Sequence, residues 1–512
     1  MVSGMSDPEF KGAGRINNWG GCKILLSWIL LIVNFVKRIL CIQREPTMRK
    51  NSIVLLLLLG SFLIQKSIAA VPDAVIVGPI EADPPGHPSK NSIYAASAIE
   101  LTANGYIEEE YFIEGTANQY TNPDLETGTV IDSGHRYLTR LIIRRPQAED
   151  FNGIVIVEWI NVTGGPDKDI DWWYSGAHFV RNGYAYVAVS AQQLGIDTMK
   201  EWSPQRYGSL DTTHDGLVSG DGLSYDIFSS VGRAINRVGE STPAGRVDIL
   251  NGLKADLIIA TGHSQSASRL AVYLNNIHPL ELIYDGVMVH GGGGRIRDDQ
   301  ETKIFKIMAE TDMVRRAATP QPNSDTFMQW EVAGTSHADY DFEIEYSKLR
   351  LFRDGLPISQ AGARDVGCAL PAHSRIPFRD PFNAAFEHLV KWIKEDVQPP
   401  SAEPLKVSRM MPEIEFARDE FGNILGGIRL AEHVVATAKN TGMNNGVTNR
   451  FCFLYGSHEP FDQETLDRLY PSHEAYVQAV REVVEDNLTA GYILPYAAER
   501  TINEAEASSI GK

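Results

Sequence analysis

The sequence predicts an α/β fold in which a mostly parallel central sheet carries helices on both faces. Strand and helix signals alternate through the middle of the 512-residue chain, and this alternation is typical of parallel sheets that are covered on both sides. Hydrophobic residues make up 43% and aromatic residues 9% of the chain, which is enough to fill a large core. The 44 glycines and 26 prolines fit the many turns of such a fold.

The predicted strands and helices begin with an antiparallel pair. Residues 110–117 and 137–144 are alternating or β-branched runs separated by turn-forming residues, which predicts two antiparallel strands. The elements after them are, in order, strand 153–159, helix 172–182, strand 184–190, helix 225–238, strand 255–261, helix 264–275, and strands 282–290, 303–309 and 326–333. We therefore expect the antiparallel pair to lead into a parallel sheet.

A proline-rich run, Gln398-Pro399-Pro400, marks the predicted end of the core, because it follows a helix predicted over 381–395. We expect residues 71–400 to form the core and residues 401–512 to form a C-terminal extension packed on it. The predicted elements of the extension are a glycine-rich loop over 422–427 and an amphipathic helix over 473–487.

The segment from Met48 to Ala70 has the layout of a secretory signal. A basic start is followed by an apolar run over 53–64 and then by small residues, which predicts cleavage after Ala69 or Ala70. The apolar run is short for a membrane span, although an uncleaved anchor is the alternative. We expect a secreted or periplasmic protein, or a membrane-anchored one if the N-terminal apolar segments are retained.

Residues 1–47 hold a second apolar stretch over 24–36. Because a complete signal begins afresh at Met48, we interpret residues 1–47 as an over-extended start or an added leader and exclude them from the fold prediction. Residues 1–70 are thus predicted to be a presequence and signal. A native N-terminal anchor is the alternative.

The chain is acidic, with 47 Lys and Arg against 65 Asp and Glu and a formal net charge of −18. Without residues 1–70 the balance is 38 against 62, a net charge of −24. Such a body repels phosphate backbones, which argues against a nucleic-acid partner. We expect no stable membrane partner once a signal is cleaved, and the sequence does not predict an oligomeric state.

Two cysteines, Cys368 and Cys452, lie outside the presequence. In an oxidising compartment they predict a disulfide rather than a metal site, since a metal site needs more ligands at closer spacing. Two buried free thiols are the alternative. No ligand spacing indicates a metal ion or an organic cofactor, so neither is predicted.

The strongest local motif is Gly262-His263-Ser264-Gln265-Ser266, at the passage from a predicted buried strand to a predicted helix. A nucleophile elbow needs small residues two positions before and after its serine, because the turn is strained and the helix packs closely on the strand. Ser266 stands where a second glycine is usual, which weakens the match. The alternative is a serine that caps an ordinary helix.

The partners of such a nucleophile follow in the expected chain order of serine, acid and histidine. Glu310 and Asp312 come after the strand predicted over 303–309, and His337 comes after the strand predicted over 326–333. Asp312 is the preferred acid because it lies three residues past the strand end, and Glu310 is the competing candidate. His337 is the predicted general base.

An oxyanion hole would use the backbone N–H of Gln265 and one N–H from the loop after the third strand, that of Asn161 or Val162. Gly164 and Gly165 in this loop permit close backbone approach. The run His290-Gly291-Gly292-Gly293-Gly294 resembles an oxyanion motif, but it follows the elbow and is interpreted as a flexible loop.

Four aromatic residues lie in segments that overhang the active site in this type of fold. They are predicted to line an apolar substrate pocket, and packing of these segments onto the core is the equal alternative. The four are Trp172, Trp173, Trp202 and Tyr207.

Short motifs are spread over nearly all of the chain after the predicted signal. They are Glu158-Trp159-Ile160-Asn161-Val162, Arg206-Tyr207-Gly208-Ser209-Leu210, Ser224-Tyr225-Asp226-Ile227-Phe228, Gly262-His263-Ser264-Gln265-Ser266-Ala267, Gly334-Thr335-Ser336-His337, Gly426-Gly427-Ile428-Arg429, Phe451-Cys452 and Leu469-Tyr470-Pro471-Ser472-His473. On these motifs the sequence resembles the α/β-hydrolase-domain proteins of the type-10 group, many of them exported bacterial proteins. The resemblance implies the α/β-hydrolase fold. It also implies that a serine at the position of Ser266 is normal in this group, and it does not indicate a substrate.

Together, the motifs and the resemblance predict a serine hydrolase, of carboxylic-ester type, that acts on a small-molecule ester through an acyl-enzyme on Ser264. The alternatives are a catalytically silent binding protein that keeps the fold, and a peptidase or acyltransferase that uses the same triad.

Overall fold

Nine strands form the central sheet of the computed structural model, which describes residues 71–240, 245–314, 316–356, 367–411 and 413–512. In chain order the strands are β1 Val75–Val77, β2 Tyr106–Tyr120, β3 Val130–Pro146, β4 Ile154–Trp159, β5 Ala185–Val189, β6 Leu257–His263, β7 Gly286–His290, β8 Lys303–Ala309 and β9 Phe327–Val332. The predicted signal over 48–70 and the segment 1–47 lie outside the described residues.

The sheet order is β1-β2-β3-β5-β4-β6-β7-β8-β9. The pairs β1–β2, β2–β3 and β3–β5 are antiparallel, and the ladder from β5 through β4 to β9 is parallel. The predicted α/β fold with a mostly parallel sheet is therefore confirmed. β2 and β3 are longer than predicted, with 15 and 17 residues, because their pairing continues into polar segments that carry no strand signal.

Helices connect the parallel strands and pack on both sides of the sheet. In chain order they are α1 Ile170–Asn182, α2 Gln193–Trp202, α3 Pro204–Tyr207, α4 Ser224–Ala234, α5 Gln265–Val272, α6 Glu310–Met313, α7 Ser347–Arg353, α8 Arg379–Glu395, α9 Ala431–Val434, α10 Cys452–Tyr455, α11 Gln463–Leu469, α12 His473–Thr489 and α13 Pro495–Ala507. α1 ends where predicted, at Gly183 with φ 74°, since glycine adopts this left-handed cap without strain. α4 ends four residues before its predicted end, because the backbone becomes extended at Ile235.

The strand β4 shows why the sheet is covered on both faces. All six of its residues are buried. Ile154 and Ile156 join the apolar cluster under α1 and α8, whereas Val155 and Val157 join the cluster under α4 and α5. Because alternate side chains of a strand point to opposite faces, a continuous apolar run is stable only when helices cover both of them.

Residues 401–512 add two small antiparallel sheets and the last five helices. The added strands are β10 Val407–Arg409, β11 Glu415–Phe416, β12 Ala438–Thr441 and β13 Ser457–Pro460. Val480 and Val484 of α12 enter the apolar cluster under α8, and a disulfide joins Cys368 to Cys452 as predicted. These residues belong to the same compact unit as residues 71–400.

Across the described parts of the chain, no helix is both long enough and apolar enough to cross a membrane.

Candidate active site

Ser264 occupies a strained turn between β6 and α5, with φ 61° and ψ −111°. Residues other than glycine rarely adopt a positive φ, and backbone strain of this kind is typical of a nucleophile elbow. A Cβ added to Gly262 would lie 3.1 Å from Leu270 Cδ1 and 3.2 Å from Ser266 Cβ. The turn therefore requires glycine two residues before Ser264 and a small residue two residues after it, and Ser266 is small enough. Its buried hydroxyl is also satisfied, because it donates to the carbonyl of Ile160 at 3.0 Å.

The structure brings three predicted residues into one hydrogen-bonded chain. His337 Nε2 lies 2.7 Å from Ser264 Oγ, and His337 Nδ1 lies 2.6 Å from Asp312 Oδ1. The second oxygen of Asp312 accepts the backbone N–H of Ala309 at 2.8 Å. This is the geometry in which a carboxylate fixes the ring so that Nε2 can accept the serine proton.

Glu310, the competing acid, bonds to groups other than the His337 ring. Its side chain is fully buried and accepts the N–H of Gly334 at 3.2 Å and the Arg418 guanidinium at 2.6 Å. Burial raises the pKa of Glu310, and the charge of Arg418 opposes that rise. The geometry thus favours Asp312 over Glu310 as the partner of His337.

Two further imidazoles, those of His263 and His290, lie beside the candidate triad. The His263 ring centroid is 4.4 Å from that of His337 and 4.2 Å from that of His290. Burial and the two neighbouring imidazoles hold the pKa of His263 well below its usual range, so this ring stays uncharged beside His337. His290 in turn places Nδ1 2.7 Å from an oxygen of Asp171.

Sequence reasoning missed Asp171, and it also missed Thr311, whose hydroxyl accepts the backbone N–H of His337 at 3.2 Å. Asp171 lies 119 residues from its partner His290, and Thr311 lies 26 residues from its partner His337. No local motif could therefore have indicated either contact. The position of His290 at a strand end was the only available signal for its pairing.

The loop after β4 lies against the elbow, as an oxyanion loop must. Asn161 donates from its side-chain amide to the carbonyl of His263 at 2.9 Å, but its backbone N–H is already bonded to the carbonyl of Lys168 at 3.0 Å. Within the described residues, the N–H groups of Val162 and Gln265 have no acceptor. Of the two predicted alternatives, Val162 is the better placed donor beside Gln265.

The first three glycines after β7, Gly291 to Gly293, are buried, and Gly294 is exposed. A Cβ added to Gly291 would lie 3.0 Å from His263 Nε2 and 3.2 Å from Asp312 Oδ2, and one added to Gly292 would lie 2.4 Å from the carbonyl oxygen of Ser264. Glycine is therefore needed here because the backbone passes directly behind the elbow and the acid.

The four aromatic residues predicted for a pocket lie mainly in the core. Trp172 and Tyr207 are fully buried, with Trp172 Nε1 bonded to Ser97 and the Tyr207 hydroxyl to Glu110. The contacts of the other two are with neighbouring segments: Trp202 donates to the carbonyl of Asp354, and Trp173 packs 4.7 Å from Phe342. These contacts favour the packing alternative.

The sheet order, the strained serine turn and the loops after β8 and β9 define an α/β-hydrolase-fold protein. The chain belongs to the alpha/beta hydrolase domain family, in its type-10 group, whose sequence profile matches residues 76–503. The resemblance seen in the sequence is thereby confirmed.

Parts of the chain are similar to solved structures at low sequence identity and low TM-score. An α/β serine hydrolase without lid from Xanthomonas campestris is 15% identical, with 47% of this chain and 95% of that chain covered and a TM-score of 0.25. A glucuronoyl esterase from Teredinibacter turnerae is 10% identical, with 44% and 48% covered and a TM-score of 0.21. Oligopeptidase B from Leishmania major is 9% identical, with 51% and 36% covered and a TM-score of 0.26. No curated protein sequence matches this chain.

Proposed function

We propose that this protein is a serine hydrolase that cleaves carboxylic esters through an acyl-enzyme on Ser264. The observation that carries the proposal is the chain of short hydrogen bonds from Ser264 through His337 to Asp312, built on a strained elbow. A strained backbone and three aligned polar side chains are costly to keep in a protein that does not use them.

In the proposed reaction, Ser264 Oγ attacks the ester carbonyl while His337 Nε2 takes the hydroxyl proton. The N–H groups of Val162 and Gln265 stabilise the oxyanion. His337 then returns the proton to the leaving alcohol, and the acyl group remains on Ser264. Water, deprotonated by the same imidazole, then attacks the acyl carbon. The bond from that carbon to Ser264 Oγ breaks, His337 returns the proton to Ser264, and the carboxylic acid leaves. Asp312 holds the ring orientation and stabilises the imidazolium that forms in both steps.

The test is labelling of the purified full chain with a fluorophosphonate probe, followed by assays with p-nitrophenyl esters of increasing acyl length. The matched control is Ser268→Ala, because Ser268 lies one helical turn away, is exposed, and donates only to the carbonyl of Ser264. We expect wild type and Ser268→Ala to be labelled and to turn over esters, and Ser264→Ala to do neither.

The same assay separates the alternatives. Absence of labelling and turnover in the wild type would favour a catalytically silent binding protein. Labelling with faster cleavage of peptide amides than of esters would favour a peptidase, and ester formation with an added alcohol would favour an acyltransferase.

We also propose that the protein is exported, on the basis of the signal-like segment 48–70 and the Cys368–Cys452 disulfide. N-terminal sequencing of the mature protein tests this, and a start near Val71 is expected.

A further inference from the structure

Glu310 and Thr311, the two residues directly before Asp312, connect it to the loop after β9 that carries His337, which we call the histidine loop. Glu310 accepts the N–H of Gly334, three residues before His337, and Thr311 Oγ1 accepts the N–H of His337 itself. Both bonds join the loop after β8 to the loop after β9. The candidate acid and the candidate base are therefore held to each other by more than their own side-chain contact.

The same two residues also bind the C-terminal extension. Arg418 donates to Glu310 at 2.6 Å, and Thr311 Oγ1 donates to the carbonyl of Gly442. The approach of Gly442 is so close that an added Cβ would lie 2.4 Å from the Thr311 nitrogen and 2.6 Å from the Thr335 oxygen. Here the extension is in backbone contact with both loops of the site.

A third contact reaches the residue after His337. The N–H of Ala338 donates to the carbonyl of Leu454 at 3.0 Å, and Leu454 lies in α10, which begins at the disulfide-bonded Cys452. The histidine loop is thus held from the extension on both sides of His337.

We propose that Glu310 and Thr311 are positioning residues through which the C-terminal extension keeps His337 and Asp312 aligned with Ser264. The inference rests on the proposed function, since it assigns these residues a role in the same reaction. A displacement of a reacting group by about 1 Å can reduce turnover by about a hundredfold, so bonds that fix two neighbouring loops affect kcat directly. Substrate contacts are not involved, and KM should change little.

A matched control exists in another ion pair between extension and core. Arg500 of α13 donates to Asp380 of α8 at 3.0 Å, and this carboxylate is buried like that of Glu310. α8 does not carry the elbow, the loop after β8 with Asp312, or the loop after β9 with His337. Arg500→Met therefore removes a comparable bond without touching the candidate triad.

The experiment compares Arg418→Met, Arg418→Lys and Arg500→Met in the full chain. Fluorophosphonate titration counts active sites, so that kcat is expressed per functional site, and melting temperature reports stability. We expect Arg418→Met to lower kcat per site by about tenfold or more with KM within about twofold, and Arg418→Lys to recover part of the loss. Arg500→Met should lose stability and keep kcat per site within about twofold of wild type.

Thr311→Val and Thr311→Ser give a second measurement that does not depend on a buried charge. Valine removes the hydroxyl that serves both His337 and Gly442, whereas serine keeps it. We expect kcat to fall with valine and to be largely retained with serine. Equal kcat per site in wild type, Arg418→Met and Thr311→Val would overturn the inference. A wild-type chain that the probe does not label would overturn the proposed function instead.

Discussion

Replacing Asp312 by Asn probes the acid most directly, because each of its two oxygens accepts one hydrogen bond. Oδ1 faces His337 Nδ1 at 2.6 Å, and Oδ2 faces the backbone N–H of Ala309 at 2.8 Å. An asparagine has only one acceptor oxygen. If that oxygen stays with Ala309, its NH₂ group faces His337 Nδ1 and forces the ring proton onto Nε2, where it blocks proton transfer from Ser264.

The expected decrease in kcat follows from two consequences of Asp312→Asn. Turning the amide to restore the correct tautomer leaves a buried backbone N–H facing another donor, at a cost of about 1–3 kcal/mol. Loss of the negative charge beside the imidazolium removes about 4 kcal/mol of stabilisation, for charges about 4 Å apart at an effective dielectric constant of about 20. Together these raise the barrier by about 5–7 kcal/mol, which corresponds to a decrease in kcat of about 10⁴- to 10⁵-fold.

The assay is kcat with a p-nitrophenyl ester, for Asp312→Asn and for Glu310→Gln as its matched control. Glu310→Gln should cost about tenfold, since Glu310 acts through the positions of loops rather than on the ring. If Glu310→Gln lowered kcat more than Asp312→Asn does, this reasoning would be refuted and Glu310 would be the acid.

Three further predictions concern the nucleophile, the disulfide and a buried carboxyl. Ser264→Ala should lose several orders of magnitude in turnover and all probe labelling while its melting temperature stays close to wild type; measurable labelling would contradict the assignment. Reduction of the Cys368–Cys452 disulfide, which spans 84 residues, should lower the free energy of unfolding by up to about 4.5 kcal/mol, as measured by urea titration with and without reductant. Burial raises the pKa of Asp226 to about 6, above the unfolded value, so this group stabilises the fold below about pH 4 and that stabilisation is lost as the pH rises to about 6. The difference in unfolding free energy between wild type and Asp226→Asn should therefore change by about 2–3 kcal/mol between about pH 4 and about pH 6. A difference that stays constant with pH would contradict the raised pKa of Asp226.

Local pattern was sufficient to predict most of the sheet. Strands such as β4 and β5 are largely or wholly apolar runs bounded by turns, and a run of this kind has few other stable environments. The extents of β2, β3 and α4 were less predictable, because pairing across the sheet lengthens a strand past its apolar part and a change in backbone direction can end a helix that its own sequence would continue.

The sequence by itself determined the order of Ser264, the two acids and His337 along the chain, because in a parallel sheet the loops at the carboxyl ends of successive strands meet at one edge. It favoured Asp312 over Glu310 only by position in the loop, because the two residues are two positions apart and either could reach the histidine. Only the tertiary structure distinguished them: Arg418 and Gly334 draw Glu310 away from the ring, whereas Ala309 turns Asp312 toward it. The physical reason is that a hydrogen bond depends on angstrom distances between groups that are far apart in the chain, and no sequence spacing encodes those distances.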